Sequence, residues 1–194
     1  MSSTRHLFEG ARLPTLVAGH VTLRWLEERD VDDLFAIYSN PEVMRYWSRT
    51  PYQDRGEAAA LVETIHRQFE RRELFEWGIV RTSDDRVVGT CTLFNIDQAN
   101  LRAEIGYVLG RAHWGNGYAQ AAVGRLIALA VDECGLQRLE ADVDPRNTPS
   151  IRVLERHGFQ REGLLRERWL VNGEWQDSAM YGLLARERSV LQSK

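Results

Sequence analysis

The amino-acid sequence predicts an α/β domain, in which strands and helices pack around a central sheet. Three observations support this fold class. Alternating apolar and polar residues are concentrated over 77–109, helical spacing of apolar residues follows over 117–135, and an Asn172-Gly173 pair near the end of the chain is typical of a β-hairpin turn. The order of elements is therefore mixed rather than purely helical or purely β.

The composition is that of an ordinary globular protein. The chain has 194 residues, of which 43% are hydrophobic and 27% are charged, and its formal net charge is -3. These values argue against disorder, and they provide no basic surface for nucleic acid. The first residues, Met1–His6, lack the apolar stretch of a signal peptide, and the apolar run Leu126–Val131 is too short to span a membrane. We expect a single domain over 1–194, with a core of about 20–185, located in the cytoplasm.

Neither the cysteines nor the histidines are spaced as metal ligands. Cys91 and Cys134 are isolated in sequence and are expected to be reduced core residues. The five histidines include no His-x-x-x-His pair. We therefore expect no metal.

The first third of the chain predicts one strand and two helices. Alternation predicts a strand over 20–26, and apolar residues at helical spacing predict a helix over 31–38 that stops before Pro41. Asp54 is a suitable N-terminal cap for a second helix that continues through Phe69 with one apolar stripe.

The middle of the chain predicts a β-meander followed by a long helix. Strands are expected over 77–81, 86–94 and 103–109. The helix runs for nearly five turns over 117–135, and a further strand covers 139–143.

The last part predicts a helix and an antiparallel hairpin. Thr148-Pro149 is expected to cap and open a helix that ends at Gly158. The hairpin pairs 164–171 with 174–184 around Asn172-Gly173.

The junction between the strand over 103–109 and the long helix predicts an anion site. The turn Gly115-Asn116-Gly117 opens the helix, whose first N–H groups have no partner within the helix and carry a partial positive charge. A tight turn before a core helix is the alternative explanation. The chain lacks Gly-x-Gly-x-x-Gly and Gly-Lys-Ser/Thr, so Rossmann and P-loop sites are disfavoured.

Two motifs around this junction resemble those of the GNAT acetyltransferase superfamily. Trp114-Gly115-Asn116-Gly117-Tyr118-Ala119 resembles motif A, Q/R-x-x-G-x-G/A, with Trp at its first position, and the run from Asn147 to Phe159 resembles motif B, N-x-x-S-x-x-x-L-x-x-x-G-F. The resemblance covers about 20–185 and is greatest to the RimJ/RimL type of ribosomal-protein N-terminal acetyltransferases.

The resemblance implies an α/β GNAT fold. Its central sheet is mixed but mainly antiparallel, is splayed between the fourth and fifth predicted strands, and has helices on both faces. The implied activity is transfer of the acetyl group from acetyl-CoA to a primary amine, with acetyl-CoA entering the splay.

The resemblance also implies the residues that bind acetyl-CoA. Backbone groups would pair with pantetheine, backbone amides would hold the pyrophosphate, and two motif B side chains would approach the pantetheine and sulfur. The backbone groups for pantetheine are those of Tyr107, Val108 and Leu109. The amides for the pyrophosphate are those of Gly115, Asn116, Gly117, Tyr118, Ala119 and Gln120. The two motif B side chains are Asn147 and Ser150. Trp114 stands where motif A usually has Gln or Arg, so the resemblance implies the backbone cradle but not the side-chain contact of that position.

Acetyl transfer requires a base for the amine and a proton donor for the departing thiolate. Related enzymes place an acid where this chain has Glu104, which makes Glu104 the expected base, with Asp142 as a second candidate. Where many relatives have a tyrosine that protonates the thiolate, this chain has Leu154, so Ser150 is the expected donor. Tyr118 and Tyr107 are alternatives, and the oxyanion is expected on a backbone N–H near Val108.

The acceptor groove is expected between the first two helices and the final hairpin. Aromatic residues are its candidate walls, with burial in the core as the alternative: Tyr38, Trp47, Tyr52, Trp77, Trp169 and Trp175. The expected acceptor is a ribosomal-protein or peptide N-terminus. A small amine, such as an amino acid, a polyamine or an antibiotic, and a catalytically silent acyl-CoA sensor are alternatives. A monomer and a homodimer are both compatible with the sequence.

Overall fold

The structure is a computed structural model that describes residues 10–171 and 173–191. The strands are β1 (Leu16–Ala18), β2 (Val21–Arg24), β3 (Leu74–Arg81), β4 (Arg86–Asp97), β5 (Arg102–Leu109), β6 (Arg138–Val143), β7 (Gln160–Val171) and β8 (Glu174–Leu184). The α-helices are α1 (Val31–Tyr38), α2 (Pro41–Met44), α3 (Arg55–Glu70), α4 (Tyr118–Ala128), α5 (Thr148–Arg156) and α6 (Ala185–Leu191).

The described strands form one sheet in the order β1-β2-β3-β4-β5-β6-β8-β7. Neighbouring strands are antiparallel, apart from β5 and β6, which are parallel. The parallel pair follows from the crossover through α4, because parallel neighbours need a long connection. The predicted mixed, mainly antiparallel sheet is thus confirmed.

Strand alternation gives the sheet two apolar faces, each covered by helices. On one face, Trp77 and Ile105 pack in a core cluster with Leu126 of α4. On the other face, Val80 packs in a second cluster with helical residues that include Leu34 of α1 and Ile65 of α3. Helices on both faces were predicted and are confirmed.

The sheet splays open between β5 and β6. Their pairing covers Arg102–Glu104 of β5 and Arg138–Glu140 of β6, and the remainder of each strand lies beyond it. These are the fourth and fifth strands expected from the sequence, numbered one higher here because β1 precedes them. The splay places the C-terminal half of β5 beside a gap rather than beside another strand.

Most predicted elements are present, with local differences. Asp54 caps α3 as expected and forms a capping box with Glu57. The cap of α5 is Asn147 rather than the predicted Thr148, because the Asn147 side chain accepts from the Ser150 N–H and Thr148 is already helical. Asn172 lies outside the described residues, although the antiparallel hairpin of β7 and β8 is confirmed.

Three elements were not predicted, namely β1, α2 and α6. The long predicted helix ends in a π-helical turn over Leu129–Glu133. No helix in the described part of the chain combines the length and apolarity needed to cross a membrane.

Candidate active site

A cavity of about 530 Å³ opens at the splay. Gly106 and Tyr107 of β5, Asp142 of β6 and Ser150 of α5 line it on either side of the gap. The lining also extends across the sheet to β3 and to the segment between α2 and α3. One cavity therefore joins three predicted acetyl-CoA residues, Tyr107, Asn147 and Ser150, to the predicted acceptor groove. The other predicted acetyl-CoA residues, Val108, Leu109 and those over 115–120, lie outside its lining.

The motif A turn forms an open cradle before α4. Gly115 and Gly117 have φ values of +79° and +76°, and a Cβ added at Gly115 would meet no heavy atom within 4 Å. Positive φ is strained for residues with a Cβ, which explains the glycines. Gly117 caps α4 with no side-chain hydrogen bond, so the first helical amides remain available for an anion.

The residues of the cradle fit the pyrophosphate end of acetyl-CoA. Gly115 leaves the turn open, and the first amides of α4 have no partner within the helix and no side-chain cap.

Trp114, at the unusual first position of motif A, is tied to the end of β5. Its Nε1 donates to the Leu109 carbonyl at 2.9 Å, and the Arg111 guanidinium lies 4.7 Å from its ring centroid. The residue nevertheless keeps 41% of its surface exposed. Trp114 thus stabilises the turn through these two contacts and remains partly exposed next to the cradle.

Tyr107, Val108 and Leu109 lie at the edge of the gap. Along β4 they pair with Cys91, Thr90 and Gly89, whereas on the other side they lie beyond the β5–β6 pairing. Backbone groups at an unpaired strand edge can bind an extended ligand as an added strand does. Their position is compatible with the predicted contact to pantetheine.

Ser150 and Tyr107 form a hydrogen-bonded pair across the splay. The two hydroxyl oxygens lie 2.7 Å apart, and the Tyr107 hydroxyl also donates to the Ser150 carbonyl at 2.9 Å. Burial raises the pKa of Tyr107 to about 12, although the hydrogen bond to Ser150 opposes that shift. At neutral pH Tyr107 therefore keeps its proton. Leu154, one turn after Ser150, is buried and also lines the cavity.

The two predicted carboxylates occupy different places. Glu104 is half-buried, does not belong to the cavity lining, and accepts from Asn95 Nδ2 at 3.2 Å. Its role as the base therefore stays a prediction. Asp142 lines the cavity, but its carboxylate accepts from Trp169 Nε1 at 3.2 Å and lies 3.3 Å from Arg168 Nε.

The predicted aromatic walls are only partly used. Tyr38, Trp47 and Trp169 line the cavity. Tyr52 packs on Tyr38 with ring centroids 5.4 Å apart. The indole of Trp77, in contrast, is fully buried in the core and donates to the Pro14 carbonyl at 3.0 Å.

Sequence reasoning missed Glu76, a buried carboxylate on β3 that lines the cavity. Burial raises its pKa to about 7, against the opposing effects of a hydrogen bond to Thr90, the charge of Arg49 and a hydrogen bond to Tyr38. One signal was available, because an acidic residue between Phe75 and Trp77 interrupts an otherwise apolar strand.

Comparison with known proteins identifies the family. Residues 20–160 match the family described as the acetyltransferase (GNAT) domain. The chain belongs to the GNAT acetyltransferase family. This family uses acetyl-CoA, so the chain is an acetyl-CoA-dependent N-acetyltransferase that acts on an amine.

Alignments with several named relatives cover most of the chain. The uncharacterized N-acetyltransferase p20 of Bacillus licheniformis is 42% identical, over 90% of this chain and 98% of its own. YdaF of Bacillus subtilis, provisionally named a ribosomal N-acetyltransferase, is 33% identical over 87% and 93%. The spermidine N(1)-acetyltransferase of Escherichia coli K12 is 30% identical over 83% and 84%.

Solved structures of GNAT enzymes share the fold. RimJ of Mycobacterium smegmatis, solved with CoA-disulfide, has a TM-score of 0.78 at 26% identity and matches over 93% of both chains. This likeness confirms the GNAT fold and the RimJ-like resemblance. Within the described residues, His, Cys, Asp and Glu form no group of three that could hold a metal ion.

Proposed function

We propose that this GNAT enzyme acetylates the N-terminal amine of a protein or peptide, of the ribosomal-protein type, in the cytoplasm. The observation that carries this proposal is the final hairpin of β7 and β8. Trp169, Gln176 and Ser178 of this hairpin wall the cavity. A peptide acceptor, unlike a small amine, continues past its amine and needs a surface outside the cavity.

The hairpin provides such a surface. It exposes large apolar side chains, with Leu170 at 56% and Trp175 at 58% of their surface accessible. Clustered exposed apolar side chains commonly mark binding sites. In addition, β7 is at the edge of the sheet, where an extended peptide can add as a strand.

Acetyl-CoA would lie along the splay in this proposal. Backbone groups of Tyr107, Val108 and Leu109 bind pantetheine, and a backbone N–H near Val108 holds the oxyanion. The amides over 115–120 hold the pyrophosphate, because the N-terminus of α4 favours negative charge. Asn147 and Ser150 approach the pantetheine and sulfur.

Ser150 assists departure of the thiolate in this proposal, taking the place of the tyrosine that Leu154 replaces. Its hydroxyl is held by Tyr107, which stays protonated at neutral pH. The pair can therefore present a hydroxyl hydrogen to the sulfur without either side chain ionising beforehand. Tyr107 acts through Ser150 and is a positioning residue.

A polyamine is a second candidate acceptor, favoured by the charge of the cavity. Among the described lining residues, the carboxylates of Glu76, Asp142, Asp144 and Asp177 outnumber the cation Arg49. An acidic cavity attracts cations. The E. coli spermidine N(1)-acetyltransferase described above is 30% identical to this chain over 162 residues.

Thiol release from acetyl-CoA distinguishes these acceptors. The probes are a hexapeptide with a free N-terminal serine, the same peptide with a blocked N-terminus, and spermidine. We expect turnover with the free peptide and none with the blocked one, with the product located by mass spectrometry. Turnover with spermidine alone would reject the peptide acceptor and support the polyamine.

A hairpin variant provides an independent test of the peptide surface. Trp175→Ala removes an exposed ring outside the cavity lining. We expect a higher KM for the peptide with an unchanged Kd for acetyl-CoA. An unchanged KM for the peptide would contradict the proposed surface.

A further inference from the structure

We propose that Glu76 binds the acceptor's ammonium group and accepts its proton, and is thus the base of the reaction. This inference rests on the amine acetylation proposed above and applies to either acceptor, because peptides and polyamines both arrive with an ammonium group. It replaces Glu104 as the base.

The strand register directs Glu76 toward the reacting end of the cavity. Glu76 of β3 pairs with Thr92 of β4, and Thr92 pairs with Gly106 of β5. Directly paired residues project from the same face of a sheet, and two strand spacings amount to about 9.5 Å. The three residues therefore form a row that leads from Glu76 to the splay.

Gly106 keeps this row open. It has no side chain, and an added Cβ would have only Phe94 Cε1 as a near neighbour, at 3.6 Å. The next residue, Tyr107, holds Ser150. A small group lying over Gly106 is thus between the carboxylate of Glu76 and the strand edge proposed to bind the thioester.

The groups around Glu76 form hydrogen bonds with its carboxylate but do not neutralise its charge with an ion pair. Its hydrogen-bonding neighbours Thr90 and Tyr38 are themselves linked, with their oxygens 3.0 Å apart. Arg49, an exposed residue, is the cation whose charge acts on Glu76, but the two form no ion pair among the described residues. An acceptor ammonium group would supply the missing close cation.

The other charged and titratable groups near Glu76 come from each packed element. Tyr38 lies on α1, Tyr52 and Arg49 precede α3, and Cys91 lies on the opposite face of β4. The residues of α3 that reach the cavity do not titrate; they are Leu61, Thr64 and Gln68. None of these groups is a second base on this side of the cavity.

The remaining carboxylates of the lining are already engaged. Arg168 lies 3.3 Å from Asp142, Arg146 lies 2.7 Å from Asp144, and the Glu167 N–H donates to Asp177 at 2.9 Å. Within the described part of the chain, Glu76 is therefore the buried lining carboxylate that lacks a close cation or backbone donor.

The proposed step balances protons and electrons. The ammonium group gives one proton to the Glu76 carboxylate, which exposes the nitrogen lone pair. That lone pair bonds to the acetyl carbon as the C–S bond breaks with its electron pair on sulfur. The second amine proton is lost to solvent, which replaces the proton that Ser150 delivers to the sulfur.

Rate measurements on the Glu76→Gln variant test the proposal. The assay uses the serine hexapeptide and spermidine as acceptors, across the pH range from about 5.5 to 10.5, which includes the pKa of either amine. We expect kcat at about pH 7.5 to fall about a hundredfold or more for every acceptor that the wild type acetylates, because general-base catalysis contributes about that much. The Kd for acetyl-CoA should not change. Glu73→Gln, the same change at an exposed residue outside the lining, is the matched control.

The pH profile separates the base from the acceptor. In the wild type, kcat should rise with pH near pH 7 as Glu76 loses its proton. A separate rise, caused by deprotonation of the acceptor amine, is expected near pH 8 for the peptide or near pH 10 for spermidine. Glu76→Gln should lose only the limb near pH 7. If Glu76→Gln does not fold, Glu76→Asp should keep that limb with a lower kcat.

Several outcomes overturn the proposal. These are a Glu76→Gln rate within threefold of wild type, a retained limb near pH 7 in that variant, and loss of the limb in Glu104→Gln instead. Failure of the proposed acceptor gives a different result, namely a wild type that acetylates spermidine but not the peptide while Glu76→Gln still removes activity. A wild type that acetylates neither probe overturns both.

Discussion

The two halves of the candidate site are built in different ways. The proposed acetyl-CoA half comes from two continuous stretches, 105–120 and 147–154, and would offer mainly backbone groups and helix amides. The members of these stretches that line the cavity are Ile105, Gly106, Tyr107, Asn147, Ser150 and Leu154. The acceptor half is assembled from side chains on distant segments, including Tyr38, Glu76 and Trp169. One half is therefore encoded locally, whereas the other depends on how the sheet is ordered.

This difference separates a shared function from a specific one. Backbone groups at a helix N-terminus recognise any phosphate ester of suitable shape, whatever the neighbouring side chains are. In the proposed mechanism, side chains in the acceptor half determine which amine fits and how it loses its proton. Substitutions in the first half should therefore abolish cofactor binding, whereas those in the second should alter rate, pH dependence or acceptor preference.

The largest expected effect is on the acetyl-CoA half. Gly117→Glu places a Cβ at a φ of +76° and a negative charge in the phosphate cradle. We expect acetyl-CoA binding, measured by calorimetry, to weaken at least about a thousandfold, or ~4 kcal/mol. Gly135→Glu is the matched control, because Gly135 has a φ of +73° at the far end of the same helical segment. Equal affinities in the two variants would reject the cradle.

The next effect concerns stability and belongs to the acceptor half. The pKa of Glu76 is raised to about 7 in the folded protein, from an ordinary value of 4.5. Between these pH values only the folded state keeps the proton, so the free energy of unfolding falls as pH rises through this window.

Glu76→Gln removes this pH dependence, because glutamine does not ionise. Relative to wild type, the variant should gain about 3 kcal/mol of unfolding free energy between about pH 4 and pH 8. Urea unfolding at both pH values measures the change. A stability difference between the two proteins that is independent of pH would contradict the raised pKa.

A smaller effect is expected at the junction of the two halves. Ser150→Ala should lower kcat about tenfold, or ~1.4 kcal/mol, with little change in acetyl-CoA affinity, because in the proposed mechanism the hydroxyl acts on the departing sulfur. Thr148→Ala, an exposed change in the same first turn, is the control for helix stability. A lowered melting temperature with a normal single-turnover rate would assign Ser150 a purely structural role.

The smallest effect is expected from Tyr107→Phe, which removes the hydroxyl 2.7 Å from Ser150 Oγ. We expect kcat to fall about threefold, or ~0.7 kcal/mol, as for loss of the one neutral hydrogen bond that orients Ser150 Oγ. If Tyr107 acts through Ser150, the double variant with Ser150→Ala should be no slower than Ser150→Ala alone. If the decreases in kcat of the two single variants add in the double variant, Tyr107 contacts the substrate directly.

Much of the fold was predictable from sequence because it depends on local patterns, and the glycine turn of motif A lies before α4 as predicted. Alternation over 77–109 predicted the meander, and helical spacing after Gly117 predicted α4. The α/β class and the acetyltransferase family were also predicted from local patterns, and both predictions are confirmed. The cap of α5 was misassigned by one residue, because Asn147 and Thr148 are both good caps and only the backbone conformation decides between them.

The pairing of Tyr107 with Ser150 and the orientation of Glu76 were decided by tertiary structure. Periodicity assigns Glu76 to one face of its strand and Gly106 to one face of another strand. It does not show that pairing through β4 places the two residues in one row. It also does not show that the Glu104 carboxylate meets Asn95 instead of the cavity. Register and splay arise from long-range strand pairing, which joins residues far apart in the chain and leaves no local pattern. The sequence by itself therefore determined the family and the glycine turn before α4, whereas only the assembled sheet decided that the Glu76 carboxylate lines the cavity in one row with Gly106.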